Sequence, residues 1–210
     1  MERNCRQDGC PREGECDVMV KVCVINGRPG CGKTTFESIC HDFCDYGRPG
    51  FSEGRLLAVD ICSTVDFVKE IALECGWDGT KTLENRRFLS DLKDLLTHWN
   101  DIPYKKILER TKQLSSWASY NYLDWILFVD CREPTEIQKL KERLNATTVL
   151  IRRDNVEYDE VSNHADSDVF YYDYDLTIWN NSDIIELENE AKKFIEYMKK
   201  EEVPHYVNVD

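Results

Sequence analysis

Apolar residues along this chain form short continuous runs that alternate with longer stretches of helical spacing. The clearest runs are residues 18–25 (VMVKVCVI), 125–130 (WILFVD) and 147–151 (TTVLI), and such runs are typical of strands buried on both faces of a parallel sheet. Weaker strand signals lie at 55–61 and 176–179. Because the strands alternate with helical segments, the pattern predicts a three-layer α/β fold with a central parallel sheet of about five strands.

Helical spacing of apolar residues marks the segments between the strands. The predicted helices are residues 34–44, 63–76, 81–99, 103–120, 134–144 and 183–198. At the start of the last helix, Asp183 followed by Glu186 resembles a capping box. The helical stretch 63–121 interrupts the alternation of strands and helices, and it is long enough to form a substrate-binding segment. The apolar positions of the 81–99 helix are Phe88, Leu92, Leu95 and Trp99.

Composition and length restrict the classes of protein that fit. A net charge of −13 argues against a general nucleic-acid surface, because phosphate backbones are bound by clustered Lys and Arg. No apolar run approaches the ~18 residues needed to span a bilayer, and the N-terminus lacks an apolar signal-peptide core. We therefore expect a cytoplasmic protein without a membrane partner, and a homodimer is compatible with the pattern. One domain is predicted at residues 18–202, with 1–17 as a disordered leader and 203–210 as a tail.

Between the first strand and the first helix, residues 27–34 read GRPGCGKT, which is a complete phosphate-binding loop. Its glycines let the backbone point successive amides at an anion beside the helix N-terminus. Lys33 is expected to reach the β- and γ-phosphates, and the Thr34 hydroxyl is the expected Mg²⁺ ligand. The loop predicts binding of ATP and Mg²⁺ by Gly27, Arg28, Pro29, Gly30, Cys31, Gly32, Lys33, Thr34 and Thr35.

Such a loop needs an acid that orients the metal ion and its water shell. Asp130, at the carboxyl end of the 125–130 strand, is the better candidate, because ligands collect at that edge of a parallel sheet. Asp60, at the end of RLLAVD, is its rival, and either residue could instead cap a helix or turn. Arg132 could reach the transferred or the acceptor phosphate, or it could form a surface ion pair.

Together these features resemble the superfamily of phage deoxynucleoside monophosphate kinases and phosphomevalonate kinases. The resemblance lies in the phosphate-binding loop, the helical segment, the strand that ends in Asp130-x-Arg132, and the closing segment DLTIWNNSDIIELENEAKKFI. It spans about residues 19–200, mainly as an order and spacing of elements. It implies a P-loop fold like that of nucleoside monophosphate kinases, with 63–121 binding the acceptor and 152–175 forming a short lid.

The resemblance also implies roles for single residues. Arg132 would approach the reacting phosphates together with Lys33 and Asp130, and Asn180 would lie where the closing loop passes the adenine. Without the resemblance, the basic residues of the helices are the ordinary solvated face of amphipathic helices. The implied acceptor-binding residues are Lys69, Arg87, Lys93 and Arg132, and Asp60 and Arg152 are further expected substrate-binding residues.

The resulting hypothesis is an ATP-dependent kinase that phosphorylates a small phosphorylated acceptor, in the first instance a (deoxy)nucleoside monophosphate. Kinases for dephospho-coenzyme A, phosphomevalonate or a nucleoside are alternatives of the same class. A nucleotide-dependent regulatory ATPase, in which 63–121 binds a protein partner, is an alternative of a different class. A non-catalytic ATP-binding module is the third alternative.

Overall fold

The computed structural model of the protein describes residues 19–44, 56–80, 82–121, 123–154, 168–200 and 202–206. Its strands form one sheet in the spatial order β2-β3-β1-β4-β5. All four neighbouring pairs are parallel. The predicted five-stranded parallel sheet is therefore confirmed. The strands are β1 (Val20–Asn26), β2 (Leu57–Ser63), β3 (Asp124–Asp130), β4 (Thr147–Arg152) and β5 (Leu176–Trp179).

Helices connect the strands, and their ends follow local sequence signals. The Asp183 carboxylate accepts a hydrogen bond of 3.0 Å from the amide of Glu186, so the predicted cap of the last helix is present. Thr82 caps another helix in the same way, through the amide of Asn85. The helices are α1 (Lys33–Asp42), α2 (Asp66–Glu74), α3 (Leu83–Asn100), α4 (Ile102–Asn121), α5 (Pro134–Leu144) and α6 (Ile184–Met198).

Apolar cores lie on both faces of the sheet, which completes the predicted three-layer α/β architecture. On one face, Phe36 of α1 and Phe194 of α6 pack against Phe128 of β3. On the other face, Leu114 of α4 and Ile137 of α5 belong to the cluster that covers alternate residues of β1 and β3. Because successive side chains of a strand point to opposite faces, the two cores share the same strands.

Helix α3 lies outside both cores. None of its residues is buried, although its predicted helical span is confirmed. Three of its apolar residues stay open to solvent: Phe88 is 37% exposed, Leu95 63% and Trp99 79%. The apolar spacing therefore predicted the helix but not burial of that face.

The ends of the described chain are fastened to the sheet. The amide of Tyr206 donates to the carbonyl of Val20 at 2.8 Å, and Val203 is buried. The first part of the predicted 203–210 tail thus packs against β1. The predicted leader 1–17 and the central part of the predicted lid, 155–167, lie outside the described residues. Among the described helices, none has the length and apolar composition needed to cross a bilayer.

Candidate active site

The phosphate-binding loop joins the end of β1 to the start of α1, so its amides precede the N-terminus of a helix. Gly30 and Gly32 adopt left-handed conformations, with φ of 76° and 95°, that glycine accepts without strain. At Gly27 the limit is space, because a Cβ there would lie 2.5 Å from Cys31 Sγ and 2.7 Å from the Ile151 carbonyl oxygen. Glycine is therefore required at these three positions for the loop to close on itself as it does.

Lys33 and Asp130 form an ion pair at the carboxyl edge of the sheet. Asp130 is the last residue of β3 and pairs in register with Ile25 of β1, which brings it beside the loop. The side chains of Lys33 and Asp130 are 15% and 27% exposed, respectively. The structure thus brings together the predicted lysine and the better of the two predicted acids. Thr34 and Thr35 lie in the first turn of α1, and both are exposed.

Asp60 lies in a different setting from the one its sequence position indicates. The predicted strand end at 61 is wrong, since β2 continues to Ser63 and Ser63, not Asp60, lies opposite Asp130. The apolar run ends before the strand does. β2 is an edge strand, and none of its last four residues is buried. The Asp60 carboxylate receives two hydrogen bonds of 2.7 Å from Arg110 of α4. This bidentate pair joins β2 to α4 and raises the pKa of Arg110 through the hydrogen bonds to Asp60.

The loop after β2 connects Lys69 to the same edge of the sheet. Ser63 Oγ and the amide of Thr64 both donate to the carbonyl oxygen of Asp130, at 3.3 and 3.2 Å. The Asp66 carboxylate accepts from the Ser63 amide at 2.7 Å and from Lys69 Nζ at 3.1 Å. Lys69 is therefore linked through Asp66 and Ser63 to the end of β3, and its ammonium is held by Asp66.

The other basic residues of the helical segment are distributed differently. Lys93 of α3 forms an ion pair of 2.7 Å with Glu136 of α5, and both side chains are largely covered. Arg87 is exposed on α3. Arg132 lies two residues after the end of β3, and its carbonyl oxygen accepts from Asn26 Nδ2 at 3.2 Å. Lys93, through Glu136, and Arg132 both lie near the chain that leaves β3, whereas Arg87 is on the exposed side of α3.

Arginine and aromatic side chains are stacked beside the phosphate-binding loop. The guanidinium carbon of Arg28 lies 4.6 Å from the ring centre of Phe170, and that of Arg152 lies 5.0 Å from the same ring. Arg152 also lies 4.6 Å from the ring of Trp179, at the end of β5. Such a stack offers planar, partly cationic surfaces of the kind on which a nucleobase packs.

Asn180 holds the loop after β5 against the phosphate-binding loop. Its side-chain amide donates to the carbonyl oxygen of Cys31 at 2.8 Å, and its backbone amide donates to that of Arg152 at 2.7 Å. A Cβ on Gly32 would collide with this side-chain amide. The structure therefore places Asn180 on the backbone of the phosphate-binding loop, next to the Arg152 end of the stack.

Glu37 was missed by the sequence patterns. It lies one helical turn after Lys33 and is 2% exposed, and its Oε1 has no hydrogen-bond partner among the described residues. Burial, and next the nearby Asp130 carboxylate, raise the pKa of Glu37 to about 8. Its position four residues after the loop lysine, between the buried Phe36 and Cys40, was the available signal.

The donor groups fit a magnesium ion that is held mainly by nucleotide phosphates. Among the described residues, no group of three or more His, Cys, Asp and Glu side chains is arranged to bind a metal. Mg²⁺ commonly uses only one or two protein oxygens together with phosphates and water. Thr34, which follows Lys33 in the chain, and Asp130, which pairs with Lys33, are the residues that would hold it.

Comparison with known proteins gives only distant structural likeness. No protein-family model matches the sequence, and no curated protein matches it significantly. An APS kinase from Mycobacterium tuberculosis is 10% identical over 88% of this chain and 100% of that chain, with a TM-score of 0.40. An unliganded sugar kinase from Janibacter is 11% identical over 84% of this chain and 95% of that chain, with a TM-score of 0.42. Since both scores are below 0.5, the fold class rests on the observed sheet and loop.

Proposed function

We propose that this chain is an ATP-dependent phosphotransferase that acts on a small phosphorylated acceptor, in the first instance a (deoxy)nucleoside monophosphate. The observation that carries the proposal is the ion pair between Lys33 and Asp130 beside a complete phosphate-binding loop. An exchangeable partner keeps the ammonium at the site where the phosphates of ATP would arrive. Asp130 remains at the strand end to orient the acceptor or the water shell of the metal.

Positioning and charge neutralisation are the catalytic work that phosphoryl transfer requires. The backbone amides of Gly32 and of the first turn of α1 are proposed to point at an anion bound there. Lys33 supplies a full positive charge, and Arg132 is proposed to approach the transferred group. A bound Mg²⁺ would supply positive charge that offsets the charge of the ATP phosphates. Thr34 and Asp130 are the proposed protein ligands.

The nucleobase of ATP is proposed to bind against the stack formed by Arg28, Phe170, Arg152 and Trp179. Stacking on an arginine or aromatic plane accepts any base, because each base has a π-face. The hydrogen bond from Asn180 to the Cys31 carbonyl supports this proposal, since it fixes the stack relative to the phosphate-binding loop. This hydrogen bond would help to keep the proposed base subsite at a fixed distance from the proposed phosphate subsite.

A kinase for a hydroxyl-bearing acceptor, such as a nucleoside, is the second candidate. It is favoured by the engagement of two expected phosphate-binding lysines with carboxylates, Lys93 with Glu136 and Lys69 with Asp66. A lysine paired in this way presents little net charge to an acceptor phosphate. The two candidates differ in the group that attacks the γ-phosphate, which is a phosphate oxygen in one and a hydroxyl in the other.

Replacing Lys33 tests the proposal directly. We expect Lys33→Ala to lower the rate of ADP formation in the presence of acceptor by about 10²–10³-fold, the usual loss when one charge-stabilising donor is removed. The reaction is followed by coupled ADP detection with wild-type protein, ATP, Mg²⁺ and a panel of nucleoside monophosphates and nucleosides. Lys193→Ala, which changes an exposed lysine of α6, is the matched control and should keep full activity.

Circular dichroism establishes that the Lys33→Ala protein is folded. Near-normal turnover by a folded Lys33→Ala protein would overturn the kinase assignment. Slow ATP hydrolysis that no acceptor stimulates would favour a regulatory ATPase instead. Phosphorylation of nucleosides but not of their monophosphates would select the second candidate.

A further inference from the structure

A cavity of about 260 Å³ lies at the carboxyl edge of the sheet, on the side covered by α4 and α5. It lies between the end of α3, the start of α4 and the first turns of α5, and Thr64 from the loop after β2 also lines it. Ligand sites of α/β proteins form outside the carboxyl ends of parallel strands. The position of this cavity is therefore one in which a ligand is expected.

Two of its wall residues connect the cavity to the candidate active site. The amide of Thr64 donates to the carbonyl oxygen of Asp130, whose side chain holds Lys33. Glu136, a second lining residue, accepts a hydrogen bond from the thiol of Cys131, the residue that follows Asp130. A ligand in the cavity would thus stand next to the end of β3, where the proposed phosphoryl transfer occurs.

Charged residues of the walls disfavour an anion inside the cavity. Asp101 and Glu136 contribute two carboxylates, and Lys139 contributes one ammonium that is already bound to Asp101 and lies 4.1 Å from the ring centre of Tyr104. Glu136 is neutralised from outside the lining by Lys93. A phosphate in the cavity would lie beside these carboxylates, and the two lysines that could offset its charge are already paired with them. Burial of an unpaired charge is costly.

Hydroxyl groups and a ring face favour an uncharged polar ligand. Thr64, Thr97 and Thr135 line the cavity. Oγ1 of Thr97 is buried and has no hydrogen-bond partner among the described residues. Rotation about χ1 exchanges the methyl and hydroxyl groups of a threonine without moving the backbone, so Thr97 can present its hydroxyl to a ligand. Pairing this hydroxyl would remove the cost of leaving it unsatisfied.

We propose that this cavity is the acceptor subsite and that it binds an uncharged, hydroxyl-bearing ring, supplied either by a nucleoside moiety or by a sugar. The inference rests on the proposed phosphotransferase function and deepens it. The volume is below the ~300–1,000 Å³ of sites for drug-sized ligands, so the cavity accommodates one ring rather than a whole nucleotide. Any phosphate on the acceptor stays outside, towards Lys33 and Arg132.

The test uses two valine variants that each remove a buried, unpaired threonine hydroxyl. Thr97→Val alters the cavity, whereas Thr147→Val makes the same change at a buried position of β4. Neither change removes a hydrogen bond present among the described residues, so we expect both proteins to fold. Binding of thymidine, adenosine and glucose, without ATP, is measured by ligand-observed NMR, and inorganic phosphate is added as a competitor.

We expect at least one of these ring compounds to bind, and Thr97→Val to weaken its binding about tenfold or more. Thr147→Val should leave binding unchanged, and phosphate should not compete. Preference for the nucleosides or for glucose identifies the source of the ring. The proposal is overturned if none of the three compounds binds, if both variants weaken binding equally, or if phosphate displaces the ring.

Turnover separates failure of this inference from failure of the proposed function. If an acceptor is phosphorylated and its KM is the same in the wild-type and Thr97→Val proteins, the cavity is not the acceptor subsite but the kinase assignment stands. If the ring binds through Thr97 and no acceptor is phosphorylated, the cavity is a ligand site and the kinase assignment falls.

Discussion

Glu37 shows how one buried side chain sets the charge of the candidate active site. With a pKa of about 8, raised by burial and then by Asp130, its carboxyl group is mostly protonated at neutral pH. Lys33 and Asp130 form an ion pair above it, so their opposite charges offset one another. Ionisation of Glu37 would add a second negative charge beneath the phosphate-binding loop, where anionic phosphates are expected to bind.

We predict that Glu37→Gln stabilises the protein at alkaline pH. Below pH 4.5 the carboxyl is protonated in both states, and the stability due to its neutral form is fully present. Between pH 4.5 and about 8, Glu37 loses its proton in the unfolded chain but keeps it in the folded protein. The free energy of unfolding of the wild type therefore falls as the pH rises. The shift corresponds to at most about 5 kcal/mol. Glutamine cannot ionise, so the variant lacks this loss.

Urea unfolding at several pH values between 4 and 9, followed by circular dichroism, measures the difference. Wild type and Glu37→Gln should have similar stability at the acidic end and diverge as pH rises. Glu70→Gln, at an exposed position of α2, is the control and should follow the wild type. Parallel curves for the wild type and Glu37→Gln would show that Glu37 is ionised in the folded protein.

At this scale the sequence predicted residues that belong to a local motif and missed those that depend on tertiary contact. Lys33 and Asp130 were predicted because the loop motif and the strand end are local features, and the structure brings them together. Glu37 and Thr97 carry no motif, and the burial of the Glu37 side chain and of Thr97 Oγ1 depends on tertiary contacts. Asp60 was placed at a strand end because an edge strand loses its apolar pattern before its hydrogen bonds end.

Among the elements, β1 and α6 are joined by Lys21, a lysine within the largely apolar strand β1. Lys21 is 3% exposed, and its ammonium donates to the carbonyl oxygens of Met198, at 2.6 Å, and Lys200. The last carbonyls of a helix have no partner within the helix, and a cation there also offsets the helix dipole. The lysine therefore fastens the C-terminus of α6 to the central strand.

We predict that Lys21→Met lowers the free energy of unfolding by about 3 kcal/mol, because it removes charged hydrogen bonds while keeping the aliphatic stem. Urea unfolding measures the loss. Hydrogen exchange should accelerate in the last turn of α6 before other parts of the helix are affected. Lys192→Met, at an exposed position of the same helix, should change neither quantity. Unchanged exchange in Lys21→Met would mean that other contacts fasten the helix.

Element spans were predictable where apolar period and boundary signals agree. The 134–144 helix matches α5, and 176–179 matches β5, because proline and short apolar runs mark their limits. Helix α3 was also predicted from its apolar spacing, and its Phe88, Leu95 and Trp99 are exposed. Periodicity reports that a helix has an apolar side, whereas the number of neighbouring elements decides how much of that side is buried.

For the molecule as a whole, the central sheet couples two cores and the site at its edge. The core on the α1 face contains Phe36, with ring centres 6.3 Å from Phe128 and 5.5 Å from Phe194. The core on the α4 face contains the fully buried Leu114. Both cores pack on β1 and β3, the strands that lead into the phosphate-binding loop and Asp130. A substitution that destabilises either core should therefore also destabilise the site, because both depend on these two strands.

We predict that Phe36→Ala and Leu114→Ala each lower the free energy of unfolding by about 3–5 kcal/mol, through lost burial and the cavity left behind. Because the two cores share strands, each variant should unfold in one transition at which far-ultraviolet circular dichroism and tryptophan fluorescence coincide. Ser116→Ala, at an exposed position of α4, is the control and should lie close to the wild type. Two separate transitions in either core variant would contradict this prediction and would show that the two faces of the sheet unfold independently.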